Sequence, residues 1–153
     1  MRPSLRAFDI PPGWLVLHLA AAWAVSLVTP ASLGGWGRVP GQGLIVLGLA
    51  IMALAVVQMV AKRTTVIPRR DPRALVRSGL FSLSRNPIYL GDALILLGAI
   101  LWLDAVLALP LVASFVWLIQ TRFIRDEEAR LALAFGAEFD LWASRTRRWF
   151  GRK

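Results

Sequence analysis

The run from Gly43 to Ala61 contains no charged side chain, and Gln58 is its one strongly polar group. As a helix rising about 1.5 Å per residue, a stretch of this length crosses a hydrocarbon core of about 30 Å. No open sheet or irregular coil satisfies its own backbone in that setting, so the run commits the chain to helices in a membrane. A second uncharged run, Pro12 to Ala31, precedes it, separated by a helix-breaking segment with Gly34, Gly35, Gly37, Pro40 and Gly41. Two further runs follow, Ile88 to Leu103, interrupted by Asp92, and Ala105 to Thr121, with Asp104 marking the turn between them. Each is at the short limit for a span, about 17 residues, so short or locally kinked helices are expected there. Hydrophobic residues make up 57% of the chain and mean hydropathy is +0.60. The expected fold is all-α, a multi-pass integral membrane protein with about four transmembrane helices and a C-terminal amphipathic cytoplasmic helix. Arg2 and Arg6 ahead of an apolar core also fit a secretory signal. No convincing small-x-small cleavage site follows, and the next run comes almost at once, so the first run is read as a span.

Eighteen Lys and Arg against nine Asp and Glu, with a pI near 11.7, would suit a nucleic-acid partner. The placement of charge excludes that reading. With four spans, 17 of the 18 basic residues fall on one side of the membrane, leaving Arg38 alone opposite. That asymmetry marks the basic side, with both termini, as cytoplasmic. The chain has no cysteine and a single histidine, His18, which excludes disulfides, thiolate chemistry and cysteine nucleophiles; no metal site is expected. His18 lies on a Leu/Ala/Trp surface, where a hydrogen bond to a neighbouring helix is favoured over a catalytic role. Gln58 is read as another helix-helix hydrogen bond, and Trp14, Trp36 and Trp102 as interfacial anchors.

Lys62 to Arg85 is basic, and Pro68 and Pro72 forbid a continuous helix at its start. Beyond the fourth run, Ile124, Leu131, Phe135, Phe139 and Trp142 share one helical face, so the tail is expected to begin as an amphipathic helix at the membrane surface. Its end carries Arg145, Arg147, Arg148, Arg152 and Lys153, suited to anionic lipid headgroups. The expected organisation is a single membrane domain, with an N-terminal helical pair over 12–61 and a cofactor-binding catalytic region over 62–150.

This topology puts two polar stretches at the same membrane face, on the start and finish of one helical hairpin: Ser84 to Gly91, and the adjacent carboxylates Glu127 and Glu128. Asn86 is suited to cap a helix beginning at Pro87, leaving free amide groups beside it. Arg85 can take a carboxylate in a bidentate pair, or serve only as a charge anchor. Asp92 is an ionisable group one turn into an apolar run, a costly arrangement that is often functional. It can equally pair with Arg85 or reach the interface.

Thr64-Thr65 before Pro68, Leu75-Val76-Arg77-Ser78-Gly79, Arg85-Asn86-Pro87-Ile88-Tyr89-Leu90-Gly91, Gly98, Glu127-Glu128 before Leu131, Phe135-Gly136 and Arg148-Trp149 occur in order over Thr64 to Phe150. Each is weak alone, but together they resemble the isoprenylcysteine carboxyl methyltransferase and phospholipid methyltransferase superfamily of membrane enzymes, which use S-adenosyl-L-methionine. The resemblance implies cofactor contacts at Arg73, Ala74, Leu75, Val76, Phe81, Asn86, Pro87, Ile88, Tyr89 and Glu127. Many members have histidine at Asn86 and tyrosine at Phe81. An arginine ahead of the Glu pair meets substrate in eukaryotic relatives, and Arg122 matches it with a one-residue offset.

The cofactor's sulfonium and ammonium call for Glu127 and Glu128, its carboxylate for Arg85, and its adenine for the rings of Tyr89 and Phe81. The implied reaction is direct in-line methyl transfer at the cytoplasmic face of a bacterial inner membrane. Its acceptor is lipophilic, isoprenylcysteine carboxylate-like or phospholipid amine-like, and reaches the site from the bilayer. A carboxylate acceptor needs no base; an amine or thiol must lose a proton, for which Glu128 or Asp92 are the candidates. Two other classes stay open: a transporter or channel subunit lined by Asp92 and Gln58, and an inactive assembly factor.

Overall fold

The computed structural model describes residues 9–29, 33–65 and 72–153. The readings at Arg2, Arg6, Ala31, Ser32, Pro68, Arg69, Arg70 and Asp71 lie outside them. The described residues are helical, with no strand and a single isolated bridge between Thr146 and Arg152.

Helix α1, Pro11–Val28, opens on prolines whose fixed φ suits a first helical turn. Helix α2, Arg38–Ala61, carries the uncharged run Gly43 to Ala61, and its Val46, Leu47, Leu49, Leu54, Val57 and Val60 stay exposed, a surface fit for lipid tails. A 3-10 turn at Gly79–Ser82 leads to α3, Pro87–Trp102. A second short turn, Val106–Ala108, is followed by α4, Pro110–Ile119. A five-residue π-helical segment, Gln120–Ile124, joins α4 to α5, Arg125–Phe135, without a break in the helical path, and α6, Ala137–Arg145, follows.

Among the described residues, three stretches are long and apolar enough to cross a membrane: Pro11–Val28, Arg38–Ala61 and Val106–Phe135. The chain is thus a multi-pass membrane protein. The expected fourth crossing, α3, is the short one, about 24 Å long at about 1.5 Å per residue. It is held along α2 by paired glycines. A Cβ at Gly41 would stand 2.6 Å from the Gly98 carbonyl oxygen, and one at Gly48 would stand 2.6 Å from that of Gly91. Rising numbers on α2 meet falling numbers on α3, so the helices are antiparallel with backbones in direct contact, as small residues permit in lipid.

On the other face of α3, Tyr89, Leu96 and Ile100 join Ala22 of α1 and Phe115, Ile119, Phe123 and Ile124 in one buried core. His18 sits in this region, its Nδ1–H donating to the Trp14 carbonyl at 2.8 Å and its Nε2 hydrogen-bonded with Ser114 Oγ at 3.2 Å. It links α1 to α4, the neighbour-helix bond expected of it. Asp104 turns the chain with φ +57° and accepts hydrogen bonds from the Leu33 and Gly35 amides.

Two expectations change. The tail is not one amphipathic helix: Gly136, at φ +50°, breaks it into α5 and α6. The apolar face survives the break, because Leu131 and Phe135 still pack with Phe139 and Trp142 against Ala55, Val76 and Phe81 in a second core. Among the described residues Gln58 makes no span-to-span bond; its Oε1 accepts from the Leu80 amide at 3.2 Å and pins the Gly79–Ser82 turn to α2.

Candidate functional site

Pro87 starts α3 where the preceding segment has lost its apolar character, so the residues just before it form a polar ledge at the helix end. Asn86 occupies the cap position, but its side chain does not cap the helix. Its Nδ2 donates instead to the Arg148 carbonyl at 3.1 Å, and Ser84 Oγ donates to the same oxygen at 3.3 Å. The segment after α6 folds back onto this ledge: the Arg85 amide donates to the Arg147 carbonyl at 3.0 Å, and the Gly151 amide to that of Leu83 at 2.7 Å. Trp149 Nε1 donates to Gln120 Oε1 at 3.0 Å, tying the same strap to the π-helical segment.

The first turn of α5 delivers Glu127 and Glu128 to this place. Tyr89, one turn into α3 and buried, donates its hydroxyl to Glu127 Oε1 at 2.7 Å. Glu128 lies between two arginines. Arg148 approaches it with Nε at 2.9 Å and Nη2 at 2.7 Å from Oε2, and Arg85 Nη2 is 3.2 Å from Oε1. The Arg85 and Glu128 side chains are only 10% and 12% exposed. Burial, the largest influence, lowers the Arg85 pKa, opposed by the Glu128 charge and reinforced by that of Arg148. Hydrogen bonding to Glu128 raises the pKa of Arg148. Both guanidiniums stay charged at neutral pH. Arg85 Nε is buried without a hydrogen-bond partner among the described residues, a donor left over in the site.

These groups border a cavity of about 440 Å³ with largely apolar walls. Ala74, Leu75, Val76, Phe81, Arg85, Asn86, Pro87, Ile88, Tyr89, Asp92, Glu127 and Glu128 all line it. Pro11, Pro12 and Leu15 of α1 close one side, and Met52, Val56 and Met59 of α2 another.

Two residues expected at the site stand apart from the cavity lining. Arg73 is exposed, and only its backbone amide takes part, donating to Thr64 Oγ1 at 3.3 Å. Arg122 is drawn outward: its Nε donates to Asp9 Oδ1 at 2.6 Å and its guanidinium lies over the Trp14 ring, 5.6 Å from the centroid. Asp92 lines the cavity but does not pair with Arg85, whose charge is engaged by Glu128.

Three residues have roles that the sequence reading did not assign. Arg148, read as part of a headgroup-binding end, forms two of the bonds that fix Glu128; its place in the Arg148-Trp149 motif was the available signal. Trp142, read only as an apolar face residue, donates from Nε1 to the Phe81 carbonyl at 2.8 Å and lines the cavity. Thr64 Oγ1 receives the Arg73 and Ala74 amides and so shapes the wall at Ala74 and Leu75.

The residues present fit S-adenosylmethionine. The carboxylates suit its cationic groups, the spare Arg85 Nε–H suits its carboxylate, and Phe81 and Ile88 offer apolar surface to an adenine. No group of His, Cys, Asp and Glu among the described residues is arranged to hold a metal. No curated protein and no solved structure gives a significant match to the chain. A family model described as phospholipid methyltransferase matches residues 36–138, about two thirds of the chain, and takes in α2 through α5 with both polar stretches. On that match and on its bundle of apolar helices, this chain belongs to the phospholipid methyltransferase family of membrane proteins.

Proposed function

We propose that the protein is an S-adenosylmethionine-dependent methyltransferase that acts at the cytoplasmic membrane face on a lipophilic acceptor, phospholipid amine-like or isoprenylcysteine carboxylate-like. The observation that carries this reading is the convergence of Tyr89 on Glu127 and of Arg85 and Arg148 on Glu128 at the border of one apolar cavity. A soluble, multiply charged cofactor and an apolar acceptor need such a site, polar on one side and open to lipid on the other.

Bound cofactor supplies an electrophilic methyl group, so no covalent enzyme intermediate is needed. The chain's own work is alignment and exclusion of water. Glu127, oriented by Tyr89, holds cationic charge. Arg85, held by Glu128, takes up the carboxylate, and Arg148 keeps Glu128 in place. The apolar walls from α1 and α2 admit the acceptor sideways from the bilayer, bringing its nucleophile opposite the methyl group. The excess of basic residues on the site's side supports a cytoplasmic location, and the region 62–150 is the catalytic part of a single membrane domain.

Calorimetry with S-adenosylhomocysteine in lipid nanodiscs, together with methyl transfer from labelled cofactor to extracted lipids, tests the reading. Saturable binding and a labelled lipid product are expected. Absence of binding refutes it in favour of a channel or transporter subunit; binding without transfer to any lipid refutes the enzymatic part.

A further inference from the structure

Three carboxylates line the cavity, and they differ in their company. Glu127 receives the Tyr89 hydroxyl and Glu128 is held by two arginines. Asp92, 3% exposed, has neither a hydrogen bond nor an ion pair among the described residues, yet it faces the same cavity. It lies three residues beyond Tyr89 on the same face of α3, one turn deeper into the apolar bundle. Gly91, just before it, is pressed against Met52 of α2, which belongs to the apolar wall of the same cavity. A buried carboxylate with no counter-charge is costly in such surroundings and is kept where it meets a ligand cation or a proton.

We infer that Asp92 is the acceptor-side carboxylate of this site, and that it selects a lipophilic amine presented as its ammonium form over a carboxylate acceptor. This inference rests on the methyltransferase reading above. An ammonium head pairs with Asp92; a carboxylate head meets like charge there and is rejected. Asp92 takes one proton from the ammonium, freeing the nitrogen lone pair. That lone pair forms the N–CH3 bond as the S–CH3 bond breaks, and the sulfur keeps the electron pair as a neutral thioether. The nitrogen retains the positive charge as a methylated ammonium, and the proton on Asp92 passes to water when the product leaves.

The test uses the full chain in nanodiscs with three readouts: affinity for S-adenosylhomocysteine and for S-adenosylmethionine, binding of a non-methylatable alkyltrimethylammonium, and methyl transfer to an alkylamine or the fatty acid of equal chain length. Wild-type protein is expected to methylate the amine and not the acid. Asp92→Asn is expected to bind both cofactor forms within about twofold of wild type, to bind the alkylammonium at least about tenfold more weakly, and to lose roughly a hundredfold in amine methylation, the scale of a missing proton acceptor. Asp92→Glu, which keeps the charge, is expected to restore alkylammonium binding and controls for misfolding. Methylation of the acid in preference to the amine, methylation of neither, or unchanged amine transfer by Asp92→Asn overturns the inference. So does a selective loss of S-adenosylmethionine over S-adenosylhomocysteine binding in Asp92→Asn, which would assign Asp92 to the sulfonium. In these cases intact S-adenosylhomocysteine binding leaves the cofactor reading standing, whereas its absence in wild type removes both.

Discussion

Tyr89 and Glu127, 38 residues apart in sequence, are joined by a 2.7 Å hydrogen bond from a phenolic hydroxyl to a carboxylate. The bond ties the first turn of α3 to the first turn of α5 and fixes the carboxylate at the cavity. A hydrogen bond to a charged group is worth about 1.5–3 kcal/mol. Glu127→Gln and Tyr89→Phe are therefore each expected to weaken S-adenosylhomocysteine binding by about tenfold or more, and the double variant by less than the product of the two. Calorimetry checks this; strictly additive losses would show that the two side chains act separately. His18→Ala, on the α1–α4 contact away from the cavity lining, is expected to leave cofactor affinity unchanged.

The Glu128 carboxylate pairs with a buried and a half-buried guanidinium at once. Glu128→Gln leaves two like charges side by side with little solvent to screen them. Breaking a buried pair from one side costs about 3–5 kcal/mol, and the partial exposure of Arg148 places this case at or below the lower end. Thermal unfolding in a mild detergent is expected to shift downward by several degrees. Arg148→Lys, with Glu128 intact, is expected to give a smaller downward shift, since an ammonium keeps the charge but not the two-pronged grip.

Gly41 of α2 leaves no room for a side chain, because its Cβ would lie 2.6 Å from the Gly98 carbonyl oxygen and 2.7 Å from the Trp102 amide nitrogen. Backbone cannot swing aside as a flexible side chain does. Gly41→Ala is expected to push α2 from α3 and cost about 1–3 kcal/mol, read as a lower unfolding temperature.

Leu15 of α1 and Val56 of α2 belong to the apolar lining of the cavity. Val56→Trp is expected to slow methyl transfer to a long-chain acceptor by at least about tenfold, the effect of roughly 1.4 kcal/mol, while S-adenosylhomocysteine affinity stays within about twofold. Equal losses in both measurements would mean that acceptor and cofactor share one way in.

Much of this arrangement is written in local pattern. Uncharged runs mark α1 and α2, Asn86-Pro87 marks where α3 begins, and Asp104 marks a turn that its side chain then braces through the Leu33 and Gly35 amides. What local pattern conceals is contact between remote segments. Arg148 looks like any residue of a basic tail until the chain folds back and sets it against Glu128, 20 residues earlier. Spacing of apolar residues by three and four carries a helical face straight through Gly136, although a positive φ there ends the helix. Arg122 has the charge expected of a site residue, but the pull of Asp9 takes it the other way. The solitude of Asp92 is likewise invisible in sequence, since it depends on Arg85 having chosen another partner.

The π-helical segment Gln120–Ile124 has a consequence for the glutamates that follow. One added residue in a helix turns everything after it by about 100° while lengthening the rod by only about 1.5 Å. Removing a residue there would leave the segment nearly as long and as greasy, yet rotate Glu127 and Glu128 to another quadrant of the bundle. In a rod that crosses a bilayer, depth is set by length but the bearing of its chemistry is set by phase, and here a single widened turn sets the compass.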